Sequence, residues 1–158
     1  MLRVGILSDT HGLLRPEAAE FLRGCSHIVH AGDVGGPEIL DRLRGLAPVT
    51  AVRGNNDQGR WAEALPRWEF LELHGVALYV LHDLAELAIE PAAAGVRVVV
   101  SGHSHRPLVT ERNGVLYVNP GSCGPRRFRL PVAAGELLVD GSASFQARIV
   151  ELESGVAD

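Results

Sequence analysis

Three short apolar runs, LRVGILS, HIVHA and PVTAV, open the chain, and each stops abruptly at a polar group. Runs rich in branched residues, without alternation, suit strands that are covered on both faces, as strands of parallel sheets are. Between the first two, Arg15 to Gly24 places Ala18, Phe21 and Leu22 at helical spacing, with Pro16 near the start and Gly24 as a stop signal. A second helix is expected around Pro37 to Leu43. The resulting β-α-β-α-β order predicts a parallel sheet with helical crossovers. Open α/β sheets bind ligands just beyond the carboxyl ends of their strands, so the polar residues delivered there are expected to converge on a site.

Further along, WEFLEL and VALYVL flank His74-Gly75 as an antiparallel hairpin whose second strand runs into His82. The segment LAELAIEPAAAG reads as a short helix closed by Gly95, and RVVVSG as a buried strand that empties into HSHRP. VTER-NG-VLYV carries an Asn-Gly hairpin signal and ends at NPGS. Two apolar runs around Asp140-Gly141 predict a last hairpin within Pro131 to Leu152. No repeat, linker or low-complexity stretch interrupts the chain, so a single domain is expected over residues 1–153, with residues 154–158 as a frayed tail.

A chain of 158 residues that is 46% hydrophobic can fill one real core. Its net charge of -4 argues against a polyanion-binding protein, so nucleic acid is not indicated as a partner. All fifteen cationic side chains are arginine. No apolar run approaches the ~20 residues needed to span a bilayer, and the N-terminus turns polar before a signal-peptide core forms, so a cytoplasmic protein without a membrane partner is expected. Cys25 reads as a buried small hydrophobe and Cys123 as a loop thiol, both reduced in that compartment.

The chemistry lies in the polar residues that punctuate the strand ends: D-T-H at 9–11, G-D at 32–33, G-N-N-D at 54–57, H-D at 82–83 and G-H-S-H at 102–105. Asp, His and Asn offer the oxygen and imidazole nitrogen ligands that suit divalent ions of the manganese, iron and zinc kind, and no thiolate is offered. Taken singly, each has a plain structural reading: a strand-end His is ordinarily just hydrogen-bonded, and a strand-end Asp commonly caps the next turn. Five such elements in order, with Gly beside three of them, point to a crowded site that needs close backbone approach.

In that order the elements resemble the signature of the calcineurin-like metallophosphoesterases, D-x-H, G-D, G-N, H and G-H-x-H. More narrowly, the N-P-G-S at Asn119 to Ser122 is similar to the small bacterial and archaeal phosphodiesterase branch. The resemblance implies an α/β fold of two mixed β-sheets packed as a sandwich flanked by helices, in four layers. It implies two divalent metal ions: Asp9, His11 and His105 would hold one, Asn55, His82 and His103 the other, and Asp33 would bridge them. Manganese is the favoured metal, with nickel, iron, zinc or magnesium as alternatives. The implied reaction is hydrolysis of a small phosphodiester by direct attack of metal-bridging hydroxide, with Asp33, Asn55 and His82 as the catalytic set. A phosphomonoesterase or nucleotidase on the same metals, and a non-catalytic interaction scaffold of the same fold, are the competing readings.

Two departures bear on the chemistry. Where many members with monoesterase activity carry a His after the metal-binding Asn, this chain has Asn56, which cannot act as a general acid. Asp57 is the nearest candidate acid, with a turn role as the plainer reading, and substrates with good leaving groups, such as diesters, are favoured. Where H-G-H is usual, the chain reads His82-Asp83-Leu84, and Asp83 is expected either to order a group near the metals or to cap the next helix. Arg53, Arg126 and Arg127 are candidate contacts for substrate phosphate, as are Arg129 after the N-P-G-S loop and Arg106 beside a metal motif. His27, His30 and His74 match no ligand position and are expected to be structural, His30 with a possible supporting role behind the ligands. The hairpins leave room for a homodimer or higher homo-oligomer.

Overall fold

The computed structural model describes residues 1–141 and 143–152. The tail expected to fray lies outside the described residues. Two five-stranded mixed sheets face each other. In the first, β1 (Leu2–Leu7), β2 (His27–His30) and β3 (Val49–Ala51) run parallel, joined by α1 (Pro16–Leu22) and α2 (Pro37–Arg44), as the opening pattern predicts. The last hairpin, β9 (Ala133–Val139) and β10 (Phe145–Glu151), returns to pair β9 antiparallel with β1.

The second sheet has the order β4-β5-β6-β8-β7. β4 (Trp68–Leu73) and β5 (Val76–Leu81) form the expected hairpin; β5, β6 (Val98–Val100) and β8 (Val115–Asn119) run parallel, and β7 (Leu108–Arg112) is the antiparallel edge. His74-Gly75 and Asn113-Gly114 both have positive φ at two successive residues, the type I′ geometry that matches strand twist. A single helical turn, α3 (Arg60–Glu63), is one element the sequence did not suggest.

Period-two alternation builds the layers. On β1, Val4 and Ile6 point between the sheets, where they meet Leu78, Val80, Val98 and Val118. Leu7 points outward against Leu22 of α1 and Leu43 of α2. The outer face of the second sheet is covered differently. Over LAELAIEPAAAG the chain forms only a 3-10 turn, Leu84–Glu86, and then bends, so the expected helix does not form. Pro91 removes an amide donor and disfavours helical geometry at Glu90, and Leu84, Leu87 and Ile89 instead lie against Tyr79, Val99 and Val115. The fourth layer is therefore irregular chain. Among the described residues, no helix is long and apolar enough to cross a membrane.

Six parallel strands, three from each sheet, deliver their carboxyl ends to one rim. Backbone bonds knit that rim together: Asp9 N–H donates to the Gly32 carbonyl at 3.0 Å, and Gly102 N–H to the His82 carbonyl at 2.9 Å.

Candidate metal centre

The strand ends turn inward through strained backbone. Asp9, His11, Asp33, His103 and His105 all have φ between 47° and 69°, the left-handed region that L-residues avoid. Such a conformation costs on the order of 1 kcal/mol or more per residue and persists where the surroundings over-determine it, which happens most often at functional sites. Two glycines make the crowding possible. A Cβ on Gly54 would lie 2.1 Å from the amide nitrogen and Oδ1 of Asp33, and one on Gly102 2.0 Å from Oγ of Ser8.

Asp9, fully buried, stands at the centre. Its Oδ1 lies 3.2 Å from Nε2 of His105, 3.5 Å from Nε2 of His11 and 3.9 Å from Nε2 of His82. Its Oδ2 accepts from the Ser8 hydroxyl at 2.6 Å and the His103 amide at 3.1 Å. Asp33 places Oδ2 3.2 Å from Nε2 of His82 and 3.7 Å from Nε2 of His11. Two groups of potential ligand atoms, Asp9 with His11 and His105, and Asp9 with Asp33 and His82, each lie within 4.8 Å of one another.

Four buried atoms in this cluster, Asp9 Oδ1, His11 Nε2, His82 Nε2 and His105 Nδ1, have no hydrogen-bond partner among the described residues. Buried polar atoms are ordinarily satisfied, and leaving one unpaired costs roughly 1–3 kcal/mol. Four together, on carboxylate oxygen and imidazole nitrogen, fit divalent cations. His82 is oriented for that role: its Nδ1–H donates to the Ala31 carbonyl at 2.7 Å, which leaves the Nε2 lone pair facing the carboxylates.

The electrostatics agree. Burial pushes the Asp9 carboxyl up, but the His105 and His11 rings beside it, the Ser8 hydroxyl and the charge of His82 together hold it well below the usual carboxylate range. Asp33 is likewise lowered, burial being outweighed by His82 and the Asn56 amide. His11 is raised, chiefly by its contact with Asp9, and His82 is raised by Asp33 and Asp9 against a larger burial effect opposing them singly.

The two remaining candidate ligands sit alongside. The Asn55 amide oxygen accepts from Nδ1 of His103 at 3.2 Å, and the His103 ring meets that of His82 edge-on with centroids 5.2 Å apart. The structure thus brings five of the seven candidates into the two ligand groups and pairs the other two with each other at its exposed edge.

Asp57 is buried, and its carboxylate accepts from the amides of Val34 (3.2 Å), Gly35 (3.0 Å) and Gly54 (2.8 Å). That is the geometry of a loop clasp rather than of an acid facing a leaving group. Asn56 donates to Asp33 twice, from its backbone N–H at 2.9 Å and its side-chain amide at 3.2 Å. Asp83 caps the 3-10 turn by accepting from the Ala85 amide at 3.0 Å, while its Oδ2 lies 3.9 Å from Nε2 of His103. Arg127 lies close enough for its charge to act on His11. Arg53 is tied by Nε to the Asp57 carbonyl at 3.3 Å, and Arg126, Arg129 and Arg106 are exposed.

Several residues support the ligand loops from behind. Asn119 of N-P-G-S donates to the Gly102 carbonyl at 3.0 Å and Ser104 Oγ at 3.1 Å, and Ser122 donates to the Asp9 carbonyl at 3.0 Å. His30, completely buried, accepts at Nδ1 from the Gly32 amide (3.1 Å) and meets the Thr10 hydroxyl at Nε2 (3.0 Å). Thr10 in turn donates to the Val34 carbonyl at 2.7 Å, so His30 is the neutral Nε2–H tautomer, and burial lowers its pKa to about 4. His27 is hydrogen-bonded to Thr50 at 2.8 Å. Cys123 is fully buried beneath the Asp9 loop, and burial pushes its thiol up to about 12.

The family model of the calcineurin-like phosphoesterase superfamily domain matches residues 2–140. A probable metallophosphoesterase of Methanocaldococcus jannaschii is 37% identical over 132 residues, covering 75% of this chain and 67% of its own. A phosphodiesterase of the same organism is 26% identical, over 77% of this chain and 84% of its own. The solved structure of a novel archaeal phosphodiesterase superposes with a TM-score of 0.77 at 23% identity, covering 94% of this chain and 100% of that one, and so shares its fold. With the signature elements assembled on one rim and the family model spanning nearly the whole domain, the chain belongs to the calcineurin-like phosphoesterase superfamily, metal-dependent hydrolases of phosphoester bonds.

Proposed function

We propose that the protein is a phosphodiesterase that works with two divalent metal ions, manganese foremost, in the cytoplasm, where its two thiols stay reduced. The observation that carries this reading is the set of four unpartnered buried atoms distributed over two ligand groups. Asp9, His11 and His105 would hold one ion, and His82, Asn55 and His103 the other. Asp33 would serve both ions, one of its oxygens lying near both His82 and His11. A pair of divalent cations supplies positive charge for the phosphoryl oxygens and acidifies a water for attack on phosphorus.

The chain's own residues do the rest. Asp9 and Asp33 cancel part of the cationic charge and leave the remainder to attract a phosphate. Arg127, close to His11, offers a further cation to its oxygens. His30, Thr10, Ser8 and Asn119 fix the ligand loops through the hydrogen bonds given above. Neither position considered for a general acid supplies one: Asn56 is a neutral amide engaged with Asp33, and Asp57 is spent on backbone amides. Without acid help from those two residues, substrates whose leaving alcohols are acidic, such as activated diesters, are favoured. The phosphodiesterase names of one relative and one structural neighbour accord with that preference.

The test is a chelator-stripped sample restored with manganese, nickel, zinc or magnesium and assayed on bis- and mono-p-nitrophenyl phosphate beside Asp33→Asn. Diester hydrolysis that needs added metal and collapses in the variant supports the proposal. Failure of every metal, or a variant as active as the parent, contradicts it.

A further inference from the structure

A cavity of about 520 Å³ opens immediately beside the candidate metal centre, on the outer face of the second sheet. Its inner wall is His103 and Asp83, whose Nε2 and Oδ2 lie 3.9 Å apart, so the wall nearest the metals is formed by a residue assigned to them. From there the cleft runs over the ends of β6 and β8. Antiparallel register sets Leu108 opposite Asn119 and Thr110 opposite Tyr117, which places Leu108, Asn119 and Tyr117 on this same face. Leu84 of the 3-10 turn and Pro107 close the sides.

The character of the lining identifies what fits it. Leu84, Pro107, Leu108 and Tyr117 make it largely apolar, and its size is that of a small-molecule site. Leu108 is 51% exposed although it faces a concavity, which leaves apolar surface to be covered. At the far end the Arg112 guanidinium stacks over the Tyr117 ring, 4.9 Å from its centroid, and extends a flat π surface. The carboxylate of Asp83 is engaged in capping. A charged group pushed against Leu84 and Leu108 would lose hydration, and the two arginines of the lining, Arg106 and Arg112, would repel a cation. A flat, aromatic group packs on the apolar walls and against the Tyr117–Arg112 surface.

Resting on the phosphodiesterase reading, we propose that this cleft seats an aromatic ester group of the substrate, aryl or nucleobase-bearing, while the phosphate lies over the metal centre. A diester must project two ester groups from its phosphorus, and the cleft begins at the His103 edge of that centre. Leu108 and Tyr117 then set specificity, and the chemistry at phosphorus is left to the ligand residues.

Two measurements test this. Diphenyl phosphate and dimethyl phosphate are titrated into labelled, chelator-treated protein while the methyl resonances of Leu84 and Leu108 are followed by NMR. Diphenyl phosphate is expected to shift both and dimethyl phosphate neither. In parallel, Leu108→Ser is expected to raise KM for bis-p-nitrophenyl phosphate about three- to tenfold with kcat held, and Leu108→Met to restore it. Unmoved methyls, or a KM equal to that of the parent, overturn the assignment. If no metal restores hydrolysis to the parent, the phosphodiesterase reading falls and the methyl shifts alone decide the cleft.

Discussion

Oδ2 of Asp33 lies 3.2 Å from Nε2 of His82, and this contact joins the carboxyl end of β2 in one sheet to that of β5 in the other. The interface between the two sheets therefore continues, at its rim, into the ligand cluster. Chemistry and packing share one seam: Val29, one residue from the end of β2, and Val80, one residue from the end of β5, belong to the same inter-sheet core. A change at the seam is expected to be read by both activity and stability.

Gly54→Ala tests that coupling. The added Cβ would fall 2.1 Å from Asp33's amide nitrogen and Oδ1, both held in place by the strand end, so it must displace the carboxylate. Overpacking of this kind costs about 1–3 kcal/mol. Urea unfolding is expected to show that loss and calorimetry a weakened metal affinity, whereas Gly141→Ala, with open space around it, is expected to change neither.

Asn56→His places an imidazole where the chain offers only an amide. General-acid assistance is worth up to about 10²–10⁴-fold, and it matters most when the leaving alcohol is poor. Phenyl phosphate turnover is therefore expected to rise relative to p-nitrophenyl phosphate turnover. An unchanged ratio would show that protonation of the leaving group does not limit this enzyme.

His30 gives a signed pH dependence. Its folded pKa of about 4 lies below the ordinary 6.5, because burial disfavours its charged form. The unfolded chain thus binds the extra proton first, so this contribution to stability is complete above pH 6.5 and is lost as pH falls from there toward 4. The shift corresponds to about 3 kcal/mol. His11 and His82, raised in the metal-free protein, contribute with the opposite sign, stabilising below pH 6.5 and losing that as pH rises. The difference in unfolding free energy between parent and His30→Gln, both chelator-treated, isolates the His30 part. It is expected to shrink between pH 6.5 and 4.

Cys123 is expected to resist alkylation in the native protein, since its thiol is buried and its pKa raised to about 12. Iodoacetamide labelling followed by mass spectrometry should modify Cys123 only after denaturation.

Much of this molecule is written locally. The opening strands and helices follow from branched apolar runs and from Pro16, Gly24 and Pro37, and both Xaa-Gly hairpins follow from turn chemistry. The rim of candidate ligands follows because strand ends and polar motifs coincide. What was not legible depends on contacts distant in the chain. Nothing in G-N-N-D tells that Asp57 reaches back to Val34 and Gly35, or that Asn56 engages Asp33 from 23 residues away. N-P-G-S marks Asn119 and Ser122 as a motif, but that they brace Gly102 and the Asp9 carbonyl is visible only in the fold. The segment after His82 misled for a similar reason: its leucines suit a helix, but Pro91 and the exposed face of the second sheet together favour an irregular cover.

The central claim, that two metal ions act together on a diester, is tested most directly by titrating manganese into chelator-stripped protein while following bis-p-nitrophenyl phosphate hydrolysis. The account predicts that hydrolysis rises with the second equivalent and saturates at about two ions per chain, the occupancy of a two-metal site. Saturation at a single ion, or no hydrolysis at full occupancy, would contradict it.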